Sequence, residues 1–344
     1  MNPLMSSVIL SSLALGTVIT ASSHHWLLAW IGLEMNTLAI IPIIAKPHHP
    51  RATEAATKYF LTQAAASAML LFSSTINAWS TGTWDILQLT NQPACIMLTM
   101  ALSMKLGLAP LHFWLPEVLQ ASSLKTALII TTWQKLAPLA LLFLTQNSLN
   151  TTILLTMGLL STLTGGWGGL NQTQTRKIMA FSSIAHLGWM TAVVTLAPKI
   201  MLLNLAIYVL MTIATFTMLM FLSSKTIKDL TTSWATSPTM TALMLTLLMS
   251  LGGLPPLTGF MPKWLILQEL TTHSLSTPAT MLALSTLLSL FFYLRLAYTT
   301  TLTMFPSPTQ NSYKWRFEPK SKTTMMASTL TLSLLTLPIT PMLI

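Results

Sequence analysis

Charge is scarce in this sequence. Asp, Glu, Lys and Arg together make up 7% of its 344 residues, where a soluble domain carries about a quarter. Hydrophobic residues make up 52%. That balance excludes a water-soluble globular protein and implies an all-α polytopic membrane protein, a single transmembrane domain over 1–344 with no stretch polar enough to stand apart. Cysteine is scarcer still. Cys95 stands alone, so an internal disulfide and four-cysteine zinc or iron–sulfur sites are excluded. No two histidines share a helical spacing within one apolar stretch, which argues against a haem or metal site. The net charge of +10 comes without interleaved basic and aromatic residues, so nucleic acid is not the implied partner. No lysine or arginine precedes Lys46. The start therefore has neither the charged head of a secretory signal nor the arginines of a transit peptide, and its first apolar stretch reads as a retained membrane helix.

What the chain has is apolar length. A span needs about 20 apolar residues, and the sequence predicts eleven: 2–21, 25–45, 57–79, 94–113, 124–145, 149–170, 176–197, 200–223, 238–270 (broken), 276–300 and 323–343. Eleven spans put alternate loops on opposite sides. One side then collects Lys46, Arg51, Lys58, Lys125, Arg176, Lys177, Lys225, Lys228, Lys314, Arg316, Lys320 and Lys322, and the other Lys199. The excess of basic residues on cytoplasmic or matrix loops puts the N-terminus inside and the C-terminus outside. Gly165, Gly166, Gly168 and Gly169 lack the Gly-Lys-Ser/Thr ending of a phosphate loop and read as close helix packing or a helix end.

Two stretches interrupt the apolar pattern in the same way. Gly107-Leu108-Ala109-Pro110-Leu111 and Gly253-Leu254-Pro255-Pro256-Leu257 align without a gap, as do Pro116-Glu117-Val118-Leu119 and Pro262-Lys263-Trp264-Leu265. Proline removes a backbone donor and crowds the preceding turn, so both helices should be broken. Within a bilayer such breaks survive only where protein or a water cavity covers them, and a matching pair in two halves points to an ion or substrate path.

Four ionisable side chains fall deep in apolar stretches: Glu34, Lys105, Lys135 and Lys263. Each costs about 2.5–3.5 kcal/mol on insertion scales. Burial disfavours an ammonium and a nearby carboxylate restores it, so a lysine whose partner can be moved becomes a proton carrier. His186, mid-stretch with Ser182 and Ser183 one turn away, is a candidate intermediate because imidazole titrates near neutrality. His112 lies in the first break. Glu117 reads as a surface group or a partner of Lys125, and Arg295 as a side chain reaching its head toward the inner surface.

The runs Trp30–Asn36, Met104–Gln120 and Gly252–Trp264 resemble the NADH–ubiquinone oxidoreductase chain 2 family, the mitochondrially encoded antiporter-like subunits of respiratory complex I in their vertebrate form. The resemblance covers essentially the whole chain. It implies two inverted five-helix repeats, about 1–145 and 149–300, each with one broken helix, and a terminal helix at about 323–343. It places the family's essential glutamate on Glu34, its broken-helix lysines on Lys105 and Lys263, and its bridging lysine on Lys135. It implies proton translocation in the mitochondrial inner membrane, driven by NADH:ubiquinone electron transfer elsewhere in the complex. No cofactor is expected in this chain; FMN, iron–sulfur clusters and ubiquinone belong to other subunits. The implied partners are membrane-arm subunits on both sides, other antiporter-like subunits among them, and lipids such as cardiolipin. Two rival readings share the fold: a stand-alone cation/proton antiporter, and a structural subunit that transports nothing.

Overall fold

A computed structural model describes residues 3–302 and 324–339. Lys314, Arg316, Lys320 and Lys322, and both ends of the expected terminal span, lie outside the described residues. Among the described residues the chain is helical, and pairing of extended backbone is confined to isolated bridges at His25–Asp85 and Gln174–Thr226. In order the helices are α1 (Pro3–Ser22), α2 (Trp26–Ala45), α3 (Pro50–Thr81), α4 (Gln92–Leu106), α5 (Trp114–Ala121), α6 (Leu124–Thr131), α7 (Trp133–Leu144), α8 (Thr151–Gly169), α9 (Thr175–Val193), α10 (Pro198–Phe221), α11 (Ile227–Thr236), α12 (Pro238–Gly252), α13 (Phe260–Thr272), α14 (Ser276–Leu302) and α15 (Thr324–Leu335). Among the described residues, six apolar stretches are long enough to cross a membrane: α1, α2, α3, α6 with α7, α10 and α14. The chain is therefore an integral membrane protein.

The helix ends follow from local chemistry. His25 and His49 cap α2 and α3, each ring nitrogen accepting from the amide two residues on (3.2 Å in both). Pro50 begins α3, where its missing N–H costs nothing. Between α6 and α7 the helix is interrupted at Thr132, and Pro138 brings no N–H to the carbonyl one turn back. The many serines and threonines mostly bond to their own helix; Ser67, Ser73 and Thr99 donate to Ala64, Leu70 and Ile96. Such hydroxyls are satisfied without help from other helices.

Two compact units form, residues 1–161 with 187–198, and 162–186 with 199–344. In the first, α2 packs on α1 and α3, and α7 on α1, α2 and α4. Gly16 and Gly32 let α1 and α2 approach so closely that a Cβ on either would lie 2.8 Å from the other's carbonyl oxygen. In the second, α14 packs on α11, α12 and α13. The glycine run serves the same end. A Cβ on Gly165 would meet the Ala185 amide at 2.7 Å, and one on Gly166 the Leu288 Cβ, also at 2.7 Å.

Candidate functional site

Both expected breaks are present, with the same backbone. Gly107 and Gly253 sit at φ 79° and 80°, a left-handed conformation that glycine adopts without a Cβ penalty. The following amides reach back to matching carbonyls, Leu108 to Ser103 at 2.9 Å and Leu254 to Met249 at 3.4 Å. Helix resumes at matching positions, Trp114 and Phe260.

In the first unit the break faces a small cavity of ≈ 10 Å³, the room of about one water centre, whose polar lining is Lys105 and Lys135 with Asn36, Thr37, Tyr59, Gln63 and Gln134, and whose other walls are apolar. Six helices build it, Ile130 coming from α6. Asn36 comes from α2, and Tyr59 and Gln63 from one face of α3, four residues apart. Lys105 comes from the last turn of α4, Trp114 from the start of α5, and Gln134 and Lys135 from α7. Both lysines are buried, at 5% and 2% exposure. Gln134 donates to the Asn36 carbonyl at 3.2 Å and accepts from the Tyr59 hydroxyl at 3.5 Å. Four polar atoms of the residues lining this cavity are buried without a hydrogen-bond partner among the described residues: Lys105 Nζ, both amide atoms of Asn36, and Gln63 Nε2. Such groups cost about 1–3 kcal/mol each if left dry, so the cavity's chemistry is that of a water site.

Glu34 is half-buried on α2 and accepts from the Thr37 hydroxyl at 2.9 Å. Its charge acts on Lys105, yet the two make no ion pair within 4.0 Å; among the described residues such pairs join Lys58 to Glu54 and Glu117. Glu117 thus pairs with Lys58, at 2.7 Å, and not with Lys125, because α5 packs on α3. His112 is buried in the break against Phe113.

In the second unit Lys263 is half-buried and donates from Nζ to the carbonyl of Gly252 at 2.7 Å, one of the acceptors that the break frees at the end of α12. The Tyr293 ring packs on Gly252, and its hydroxyl lies beside Ser182 without a well-formed hydrogen bond. Tyr208 bonds to Ser183, and its ring lies 5.5 Å from that of His186. The structure therefore brings Lys105 and Lys135 to one cavity, with Glu34 nearby, and His186 to a separate tyrosine–serine cluster. Sequence reasoning from ionisable groups missed Asn36, Tyr59, Gln63, Gln134, Tyr208 and Tyr293. Amides in apolar helices, with Gln63 one turn from Tyr59, were the available signal.

Residues 23–290 match the family described as NADH:quinone oxidoreductase/Mrp antiporter, TM, and residues 290–344 match that described as NADH dehydrogenase subunit 2 C-terminus. Among curated relatives, NADH-ubiquinone oxidoreductase chain 2 of Xenopus laevis is 59% identical over 342 residues, covering 99% of both chains. The chain of the same name from Varanus timorensis is 58% identical over 344 residues, covering 100% of both. Among solved structures, a chain of respiratory complex I from Thermus thermophilus superposes with a TM-score of 0.84 at 27% identity, over 98% of this chain and 80% of that one.

Proposed function

The chain belongs to the NADH–ubiquinone oxidoreductase chain 2 family, and we propose that it moves protons through Lys105, Lys135 and Lys263 under the control of Glu34, with His186 as an intermediate. It is a proton-translocating membrane subunit of respiratory complex I, an NADH:ubiquinone oxidoreductase. No redox step belongs to this chain. FMN, iron–sulfur clusters and ubiquinone are assigned to other subunits, whose electron transfer drives the protons.

The observation that carries the relay is the cavity shared by Lys105 and Lys135. A water there gives a proton to the Lys135 amine as it takes one from the Lys105 ammonium. Asn36, Gln63 and Gln134 orient that water but do not themselves titrate. Glu34 holds the proton on Lys105 when the two draw together and lets it go when they part. Lys263 passes a proton toward the outer side or a neighbouring subunit. A scaffold gains nothing from buried ammonium groups, which favours transport over a purely structural role.

The finer architecture belongs to the same reading: eleven spans in two inverted five-helix repeats with a terminal helix, in the mitochondrial inner membrane, N-terminus in the matrix and C-terminus in the intermembrane space. Other antiporter-like subunits of the membrane arm flank it, with cardiolipin among its lipids. The test is Lys105→Met in the assembled complex. Relay groups contribute about 10²–10⁴-fold, so proton flux through this subunit should fall by about a hundredfold while NADH oxidation retains its electron path. An unchanged ratio of protons to electrons would overturn the relay.

A further inference from the structure

Away from the lysines, the second unit carries an apolar groove of ≈ 560 Å³ between α12 and α14. Leu245 and Met249 form one wall; along the other the lining runs from Phe291 and Leu294 to Arg295, Tyr298 and Thr301, about 15 Å of helix. Phe291 and Tyr298 are open at 56% and 67% exposure. A guanidinium in so apolar a channel needs an anion or carbonyls. Arg295 donates one N–H to the Leu170 carbonyl at 2.5 Å, and its other donors make no hydrogen bond among the described residues. Guanidinium has five donors in a fork suited to phosphate.

The segment after Leu170 carries two further basic residues, Arg176 and Lys177. That segment is tied to the start of α11 by the Gln174–Thr226 bridge, by Thr175 N–H to Lys225 at 3.1 Å, and by Ile227 N–H to Thr173 at 3.1 Å. Arg176 and Lys177 are thereby brought to Lys225 and Lys228. The carboxylate of this cluster, Asp229, is committed to the amides of Lys225 and Thr226. α11 in turn packs on α12 and α14, the walls of the groove.

We propose that the groove binds one anionic diacyl phospholipid, an acyl chain lying between α12 and α14 and the phosphate at Arg295, a particular site within the membrane-subunit reading above. A neighbour's helix would have to bring a carboxylate or free carbonyl to Arg295. A phosphodiester brings its charge at the depth where an acyl chain ends, and Tyr298 suits that interface.

The test is photolabelling of the intact complex with phosphatidylglycerol carrying a diazirine on its acyl chain, against phosphatidylcholine with the same chain. The anionic probe should label Met249 and Phe291 about fivefold more, the worth of roughly one basic residue near an anionic surface. Arg295→Gln should remove that preference and Arg295→Lys keep part of it. Leu245→Trp should fill the groove and abolish labelling by both probes while leaving the Leu170 contact intact. If Arg295→Gln fails to assemble, the same preference in the unaltered complex, weakening as salt screens it, decides the matter. Equal labelling by the two probes, labelling insensitive to Arg295→Gln, or crosslinks from the groove to a neighbouring subunit or to residues 303–323 would overturn the proposal.

Discussion

The two helix breaks share a backbone and use it differently. After the first, the Trp114 indole N–H caps the Met104 carbonyl at 3.0 Å, and Glu117 turns to the surface to pair with Lys58. The ammonium of Lys105 is left beside a small cavity without a hydrogen bond. After the second, the position matching Glu117 is Lys263, and its ammonium takes over a carbonyl at the end of α12. A helix C-terminus carries partial negative charge, so Lys263 serves here as a cap, whereas Lys105 is uncommitted. Lys105 can exchange its proton as it stands, whereas Lys263 must first give up the Gly252 carbonyl before it can pass one on.

Attacking the shared backbone should separate the two breaks most. An alanine at Gly253 must adopt φ near +80°, about 1–2 kcal/mol for an L-residue, and its Cβ would fall 2.7 Å from Lys263 Nζ. Displacing that charged hydrogen bond adds about 1.5–3 kcal/mol. At Gly107 the nearest atom is a side-chain methyl, Leu115 Cδ1, at 3.1 Å, so Gly107→Ala should cost the backbone part alone, about 1–2 kcal/mol. Thermal dissociation of the subunit from its complex should therefore drop further for Gly253→Ala. Equal drops would mean that Lys263 is not held by its contact at the break.

The lysines themselves should differ in sign. Lys263→Met leaves the Gly252 carbonyl without its partner and should destabilise by about 1–3 kcal/mol. Lys105→Met removes a buried ammonium that has no hydrogen bond and should leave stability unchanged or raised, even as it stops transport. The same dissociation measurement reads both; parallel losses would erase the distinction between the hydrogen-bonded lysine and the uncommitted one. Trp114→Phe keeps the edge-on contact with Tyr59 but loses the cap on Met104, for about 1 kcal/mol. It should loosen the end of α4 in hydrogen exchange and leave α12 untouched.

Much of this was legible in the sequence because proline and glycine act locally. The Gly107 and Gly253 turns follow from residue type and spacing, and the buried lysines from the cost of charge in apolar stretches. Which lysine has a partner was not legible. The carbonyl that Lys263 reaches lies eleven residues back, across a turn whose path the sequence leaves open. Nor was the amide lining of the first cavity, because Asn36, Gln63 and Gln134 come from three helices and each, taken singly, looks like an ordinary interhelical contact. The short helix α11 was hidden by a polar stretch of the length of a loop, although Thr226 and Asp229 have the spacing of a capping box.

That capping box marks the smallest difference between the halves. The chain enters the first broken helix through irregular residues 82–91, where the Asn77 side chain donates to Gln88 at 2.8 Å and accepts from the Thr90 amide at 3.4 Å. It enters the second through α11, where the Asp229 carboxylate accepts from the Thr226 and Lys225 amides. Those bonds, Thr226's foremost, hold the Asp229 carboxyl below its usual range. A lowered value in the folded chain means the box stabilises above the ordinary aspartate pKa of about 3.9 and is lost as pH falls through the lowered value. The carboxylate is partly exposed, so Asp229→Ala should cost only about 0.5 kcal/mol. Hydrogen exchange at Lys225 and Thr226, corrected for intrinsic rates, should show protection from neutral pH to about 4 and fraying below; in Asp229→Ala protection should be low throughout. The Thr90 amide should show no such step, because the Asn77 amide that holds it does not titrate. Fraying at Lys225 near neutrality would mean that something other than Asp229 holds the entry to the second break.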